Sequence, residues 1–475
     1  MAAFLNVCRF TPSAGGTADW TYAVAVTGYQ SPAAAGVVNG RLYKYRAESA
    51  DLSQWEVGEG AYNTSTGVLA RTTVLFTSSG TTSKINFATT PQVAIVALKE
   101  DLISVEESNS FTATQRARAR ANIDVLKKNY IINGGMQISQ QNGSTAGVSA
   151  NVYYAVDQFY DAVNGGTSAF TFGQVAGLTP GGAANRIRTT VTAVDSAIAG
   201  TTKYHVIVQK IEGLRFADLL FGTASAKTIT IQFGVKAPAG TYSISVLNGS
   251  LNRCCTAEYT ISAGEANTDV VKSVTIAGDT TGTWASDNTT GIEIRWSLMV
   301  GSGAAQPTTN TWVAANYLGS LNQFNVLGTV GNVFELFDVG LYEGNAAPSF
   351  QLPDIDDELR KCKRYWRKSY ELATAPGSAT TLGLVGCGMN DASSTGGAAV
   401  SFDVPMRTAP TLAYWDGNGN ANKISYLPSN TNVFSHNSTM GASPFNASQN
   451  GFSTSGPNAV PHVQGFIHYI ASARL

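Results

Sequence analysis

The side chains best suited to general acid–base or metal chemistry are four histidines, His205, His436, His462 and His468, and none stands at HxH or HExxH spacing. No GxSxG elbow, GxxxxGK[ST] loop or GxGxxG turn occurs, so nucleophilic hydrolysis and nucleotide-phosphate binding lack their local signals. Glu335 and Asp338 are the kind of carboxylates that glycoside cleavage needs, but an odd spacing on a strand sends them to opposite faces. No catalytic residue is therefore expected, and the chain is read as a non-enzyme. The five cysteines, Cys8, Cys254, Cys255, Cys362 and Cys387, form no CxxC pair, which argues against both a zinc site and a disulfide framework. Cys254 and Cys255 are adjacent and point to opposite faces of a strand, so all five are expected to be reduced. No cofactor is expected.

Strands must position most of these groups. Only 13% of the 475 residues are charged and the net charge is −1, which leaves no basic excess to neutralise nucleic-acid phosphates. No signal peptide and no apolar run of membrane-spanning length is found, so neither export nor membrane insertion is expected. Gly, Ser, Thr, Asn and Ala separate short Val/Ile/Tyr/Phe runs, the pattern of an all-β protein with many turns. Period-two alternation at Ile187/Thr189/Val191, Tyr204/Val206/Val208, Ile229/Ile231/Phe233/Val235 and Tyr242/Ile244/Val246 predicts a two-faced β-sandwich over 129–346. A small β-domain is expected over 1–101 and a charge-poor β-rich tip over 372–475.

Two segments break the pattern. Residues 102–128 read as a helical linker with Ala113, Ala117 and Ala121 on one face, small enough to let another helix approach. Within the connector 347–371, Pro353 to Tyr370 reads as a helix, acidic at its start and basic toward its end as the helix dipole favours. Asp356 with Arg360 and Asp357 with Lys361 would pair on its surface. Its stripe of Ile355, Leu359, Cys362, Trp366 and Tyr370 must pack on something, either the neighbouring domain or copies of itself. The second is preferred, which makes Ala113, Ala117, Ala121, Leu359, Cys362 and Trp366 the oligomerisation candidates.

Several strings carry a resemblance. Trp55-Glu56-Val57-Gly58, Leu69 to Leu75 and Asn86-Phe87-Ala88 look like the N-terminal module of tailed-bacteriophage tail fibres, which attaches the fibre to the tail or baseplate. Thr112 to Ile123 is similar to the "ARANI" linker of such fibres, with Asp124 where a Gly usually follows. CKRYW at Cys362 to Trp366 resembles a helix near their C-terminal end, and Ser401 to Pro410 resembles their tip. NGGMQIS, VDQFY, the run from Ile211 to Val246 and FELFDVGLYEG resemble the jelly-roll sandwiches of carbohydrate-binding modules found in phage fibres. Some related modules hold calcium between their first and last strands. Asp338 is kept here, but Gln137 stands where an acid would be, so no metal is expected.

What the resemblance implies is a homotrimeric virion tail fibre, made in the host cytoplasm. Its residues 1–101 would meet other tail or baseplate proteins, and its distal domains would bind host polysaccharide or lipopolysaccharide; a depolymerase on the fibre is the alternative. Such modules stack sugar rings on aromatics, because a pyranose has an apolar face and a polar rim. Trp284 in GDTTGTWASDN and Trp312 in PTTNTWVAAN lie in turn-rich contexts, where binding residues concentrate. With Tyr317, Tyr414, Trp415 and His436, the last in the polar run VFSHNSTM, they are the glycan-binding candidates.

Overall fold

A computed structural model describes residues 4–98, 101, 128–147, 152–165, 170–391, 394–395, 398–428, 433–439, 446–454 and 463–475. The chain divides into two compact units, Met1–Thr112 and Ala113–Leu475. The described secondary structure is almost entirely β, as expected. Ala113, Ala117 and Ala121 lie outside the described residues.

The first unit contains β1 (Arg9–Pro12), β2 (Trp20–Ala25), β3 (Leu42–Glu48), β4 (Trp55–Asn63), β5 (Val68–Leu69), β6 (Thr73–Thr77) and β7 (Gln92–Ile95). The order β3-β7-β1-β2-β5-β4 closes on itself because β4 also pairs with β3, giving a small barrel with β6 hydrogen-bonded to β4. Closure leaves fewer open edges. It also demands close approach: a Cβ at Gly60 would overlap the Ala70 carbonyl. Phe10, Trp20, Tyr43, Tyr45 and Phe87 fill the core.

Arg71 lies in that core, 1% exposed. Its Nε donates to Glu56 Oε1 at 2.9 Å, its Nη2 to Glu56 Oε2 and to Ile85 O, and its Nη1 to the carbonyls of Gly16 and Ala18. Every guanidinium donor is used, and the plane lies 4.2 Å from the Trp20 ring. A buried charge is tolerable only when paired and fully hydrogen-bonded, and this one is both.

The second unit begins with a sandwich. One sheet runs β10 (Phe170–Ala176), β11 (Asn185–Val191), β20 (Val333–Glu343), β13 (Ile229–Lys236), β16 (Val270–Ile276); the other runs β15 (Cys254–Ile261), β14 (Gly240–Asn248), β17 (Thr290–Val300), β12 (Tyr204–Glu212), β9 (Phe159–Asn164), β8 (Val152–Val156). Between them lie Phe172, Ile187, Ile207, Phe233, Ile244, Trp296 and Leu336. The outer face of the six-stranded sheet is covered in turn by residues 301–325, whose short strands β18 (Ala305–Gln306) and β19 (Gly319–Ser320) pair in parallel. Val206 and Val208 therefore pack outward under Ala304, Ala305 and Leu318, while Ile207 packs inward, so β12 is apolar on both faces.

The helix is shorter than expected, Ile355–Lys363, capped by Asp354, whose carboxylate accepts from the N–H groups of Asp356 and Asp357. Lys361 pairs with Glu358 and not with Asp357. Trp366 is not helical: Trp366–Lys368 is a strand on the C-terminal strand Val463–Ser472. That strand also pairs with Val385–Asp391, Thr411–Trp415 and Ile424–Leu427, which makes it the spine of the distal sheet.

Candidate functional site

Trp284 and Trp312 are brought together. Their ring centroids are 5.4 Å apart and their planes perpendicular, and both meet Phe221, at 4.8 and 5.8 Å. Both tryptophans are half-buried against the sandwich core, with Phe216 5.7 Å behind Trp284. Four loops make the arrangement. Trp312 Nε1 donates to Ala277 O at 2.7 Å, Gly222 N to Asp279 O, and Asn248 Nδ2 to Thr283 O, while residue 313 bridges to Cys254 at the edge of β15.

Asp279 organises the loop that carries Trp284. Its carboxylate accepts from Arg253 Nε (2.8 Å) and Nη2 (2.7 Å), from Thr281 N and Oγ1 (3.2 Å each) and from Trp284 Nε1 (3.3 Å). Burial pushes this carboxyl up, but the Arg253 and Thr281 hydrogen bonds and the Arg253 charge outweigh it and hold the group below its ordinary range. Gly282 sits at φ +79°, and a Cβ there would press on the Arg253 side chain. Neither Arg253, Asp279 nor Phe221 was singled out from sequence. Asp279 preceding Thr-Thr-Gly is an Asx-turn signal that would have pointed to it; Arg253 and Phe221 carry no local signal.

The other glycan-binding candidates are dispersed. Tyr317 is half-buried in the segment covering the six-stranded sheet. Tyr414 is half-buried on the distal core of Cys387, Met406 and Tyr469. Trp415, on the same strand, packs edge-on to Tyr370 at 6.4 Å, and a Cβ at Gly377 would meet its indole at 3.4 Å. His436 Nδ1 is 2.8 Å from Ser425 Oγ, which also accepts from Gly417 N. Next to it, Asp416 is fully buried and accepts from the N–H groups of Asn418, Asn420 and Asn437.

Cys362 and Trp366 are buried within the chain and Leu359 is half-buried. Cys362 is fully buried with Ile132, Ile138 and Tyr365, and Leu359 packs on the same cluster. Trp366 is 2% exposed. Arg364 and Tyr365 both reach Glu212 at the end of β12, and Asn133 N donates to Glu358 Oε2 at 2.5 Å. Arg474 lies 3.6 Å from the Tyr154 ring and 5.2 Å from that of Trp366. The NGGMQIS, VDQFY and CKRYW strings thus meet in a buried junction within one chain. The stripe packs on the sandwich because the turn around Asn133 offers an apolar surface and a donor to Glu358, while Glu212 at the end of β12 holds Arg364.

The remaining chemistry-bearing groups are engaged structurally. Glu335 is held by Arg186 and Arg188; Asp338 accepts from Thr179 Oγ1 and Gly181 N, each at 2.7 Å. Burial raises the Asp338 pKa. His468 stacks on Tyr370 at 3.8 Å; its Nε2 donates to Thr380 O, which leaves Nδ1 to accept from Ser369 Oγ. His205 is fully buried with no hydrogen bond to either ring nitrogen, its Nε2 3.9 Å from Asp161 Oδ2 and its ring tilted 4.1 Å from Phe170, and burial lowers its pKa to about 3. All five cysteines are free and buried. Among the described residues no three His, Cys, Asp or Glu side chains cluster as a metal site, and no helix is long and apolar enough to cross a membrane.

No family model matches the chain, and no curated protein matches it. Among solved structures, the enzymatically active domain of bacteriophage CBA120 tailspike protein 4 is 12% identical at a TM-score of 0.23, over 46% of this chain and 21% of that one. A family 11 carbohydrate-binding module from Clostridium thermocellum is 12% identical at 0.22, over 43% of this chain and 99% of the module. A tandem CBM22 domain from Paenibacillus barcinonensis Xyn10C is 9% identical at 0.21, over 71% and 92%. Superpositions this weak establish neither family nor function.

Proposed function

We propose that the chain is a structural and recognition component of a phage tail, a fibre that attaches through residues 1–101 and binds host-surface saccharide with its distal unit. The observation that carries the binding reading is the Trp284–Trp312 pair: two large aromatics from separate loops converge half-open at one end of the sandwich. Aromatic faces there, with polar groups alongside, suit a sugar ring's apolar face and hydroxyl rim. The tail assignment is supported by the sequence resemblance of the first block, the linker and the CKRYW string.

The fibre is taken to be a homotrimer. With Cys362 and Trp366 buried within the chain, association is proposed to rest on half-buried Leu359 and the small residues Ala113, Ala117 and Ala121, and three copies would multiply a weak sugar affinity. A depolymerase needs two carboxylates poised on one cleft, and the engagement of Glu335 and Asp338 favours recognition without cleavage. The test is capture of the protein on host envelope fractions before and after periodate oxidation. Binding abolished by periodate supports saccharide recognition; binding that survives complete oxidation overturns it.

A further inference from the structure

We infer that the Trp284–Trp312 site takes an uncharged sugar, an inference that rests on reading this pair as the saccharide platform. The loops that build the site, residues 220–223, 250–253, 279–284 and 307–313, contain two charged side chains, Arg253 and Asp279. These are paired with each other through two hydrogen bonds of 2.7 and 2.8 Å, with the carboxylate side chain 2% exposed and the guanidinium 16%. The Asp279 carboxylate is further saturated by Thr281 and Trp284, so its charge is spent inside the loop. Lys227, whose backbone carbonyl lies beside Gly278, is itself paired with Glu343 at 3.1 Å.

An anionic ring brought onto the indoles would lose part of its hydration beside an ion pair of zero net charge. A neutral pyranose loses only weakly hydrated C–H surface on stacking. Its hydroxyls, donors and acceptors at once, find neutral partners at the rim, where Asn252, Thr281 and Thr283 are exposed. Glucuronate-type and phosphorylated sugars are thereby disfavoured by the loop's own charge balance. Binding of the neutral ligand should also be nearly independent of ionic strength, since no net charge is exchanged.

The experiment uses the full chain and host envelope polysaccharide separated on an anion exchanger into neutral and acidic pools. Affinity for each pool is measured at low and high salt for the native protein, Trp312→Ala and Trp312→Phe. The expected result is binding of the neutral pool, unchanged by salt, weakened roughly tenfold or more by Trp312→Ala and partly restored by Trp312→Phe. Preferential, salt-sensitive binding of the acidic pool that is lost in Trp312→Ala overturns the neutral-sugar inference while leaving the platform intact. Binding of either pool indifferent to both substitutions, or no binding, overturns the platform reading itself and the inference with it. An unchanged thermal unfolding midpoint in Trp312→Phe separates loss of the platform from loss of the fold.

Discussion

Two aromatic clusters in the distal unit have similar composition and opposite exposure. At the loop end, Trp284 and Trp312 lean on Phe221 and stay half-open, beside an ion pair that belongs to the loops alone. At the junction, Tyr154, Tyr365 and Trp366 are closed by Arg474 and by the contacts of Glu212 with Arg364 and Tyr365. Both clusters contain tryptophan, arginine and a carboxylate drawn from distant stretches of sequence. The difference lies in what the charged groups do: in the first they shape loops that leave two tryptophans half-buried, and in the second they tie the helix to the sandwich.

Substitutions should separate the two clusters by what they disturb. The largest effect is expected for Trp366→Ala, which empties a closed site and should lower stability by about 3–5 kcal/mol, read from denaturant midpoints. Glu212→Ala should follow at roughly 2–3 kcal/mol, because Arg364 and Tyr365 lose their shared acceptor while Arg364 still reaches water. If that variant unfolds in two steps, the junction is what makes sandwich and distal sheet cooperative. Trp415→Ala should cost about 1–2 kcal/mol of stability, since the indole is half-buried against Tyr370. Its saccharide affinity should stay native, and a stable variant that has lost binding would move the platform to the distal sheet.

A fourth effect is a pH dependence. The folded-state pKa of His205, about 3, lies below its ordinary value of 6.5, so folding favours the neutral ring. Its contribution is complete above about pH 6.5 and is lost as pH falls from there toward 3. Asp157 and Asp338, whose pKa values burial raises, act with the opposite sign, so the useful quantity is a difference. His205→Phe keeps a ring against Phe170 and should lose less stability between pH 7 and pH 4 than the native chain, by urea denaturation. Equal losses would show that His205 is not what acid acts on.

The β architecture was legible in sequence because alternation and turn residues act locally, as the runs from Ile229 to Val235 and Tyr242 to Val246 show. The helix start was legible for the same reason, through Asp354 and the acids behind it. Its end was not: Trp366 continues a helical stripe in sequence, yet pairing with Ser472 takes it into a strand. The partner of that stripe was equally hidden, since the turn around Asn133 lies over two hundred residues away along the chain. At the site, Trp284 and Trp312 could be picked out by their turn-rich surroundings. Their meeting, and the part played by Arg253, depend on long-range strand order that no local pattern encodes.

The most direct test is a saccharide titration followed by intrinsic fluorescence, with native protein, Trp284→Ala and Trp312→Ala, on samples whose thermal unfolding is first compared. Each substitution is expected to weaken binding by about 1–3 kcal/mol, with a stability loss of about 1–2 kcal/mol. Native affinity in both variants, with stability retained, would contradict the platform reading.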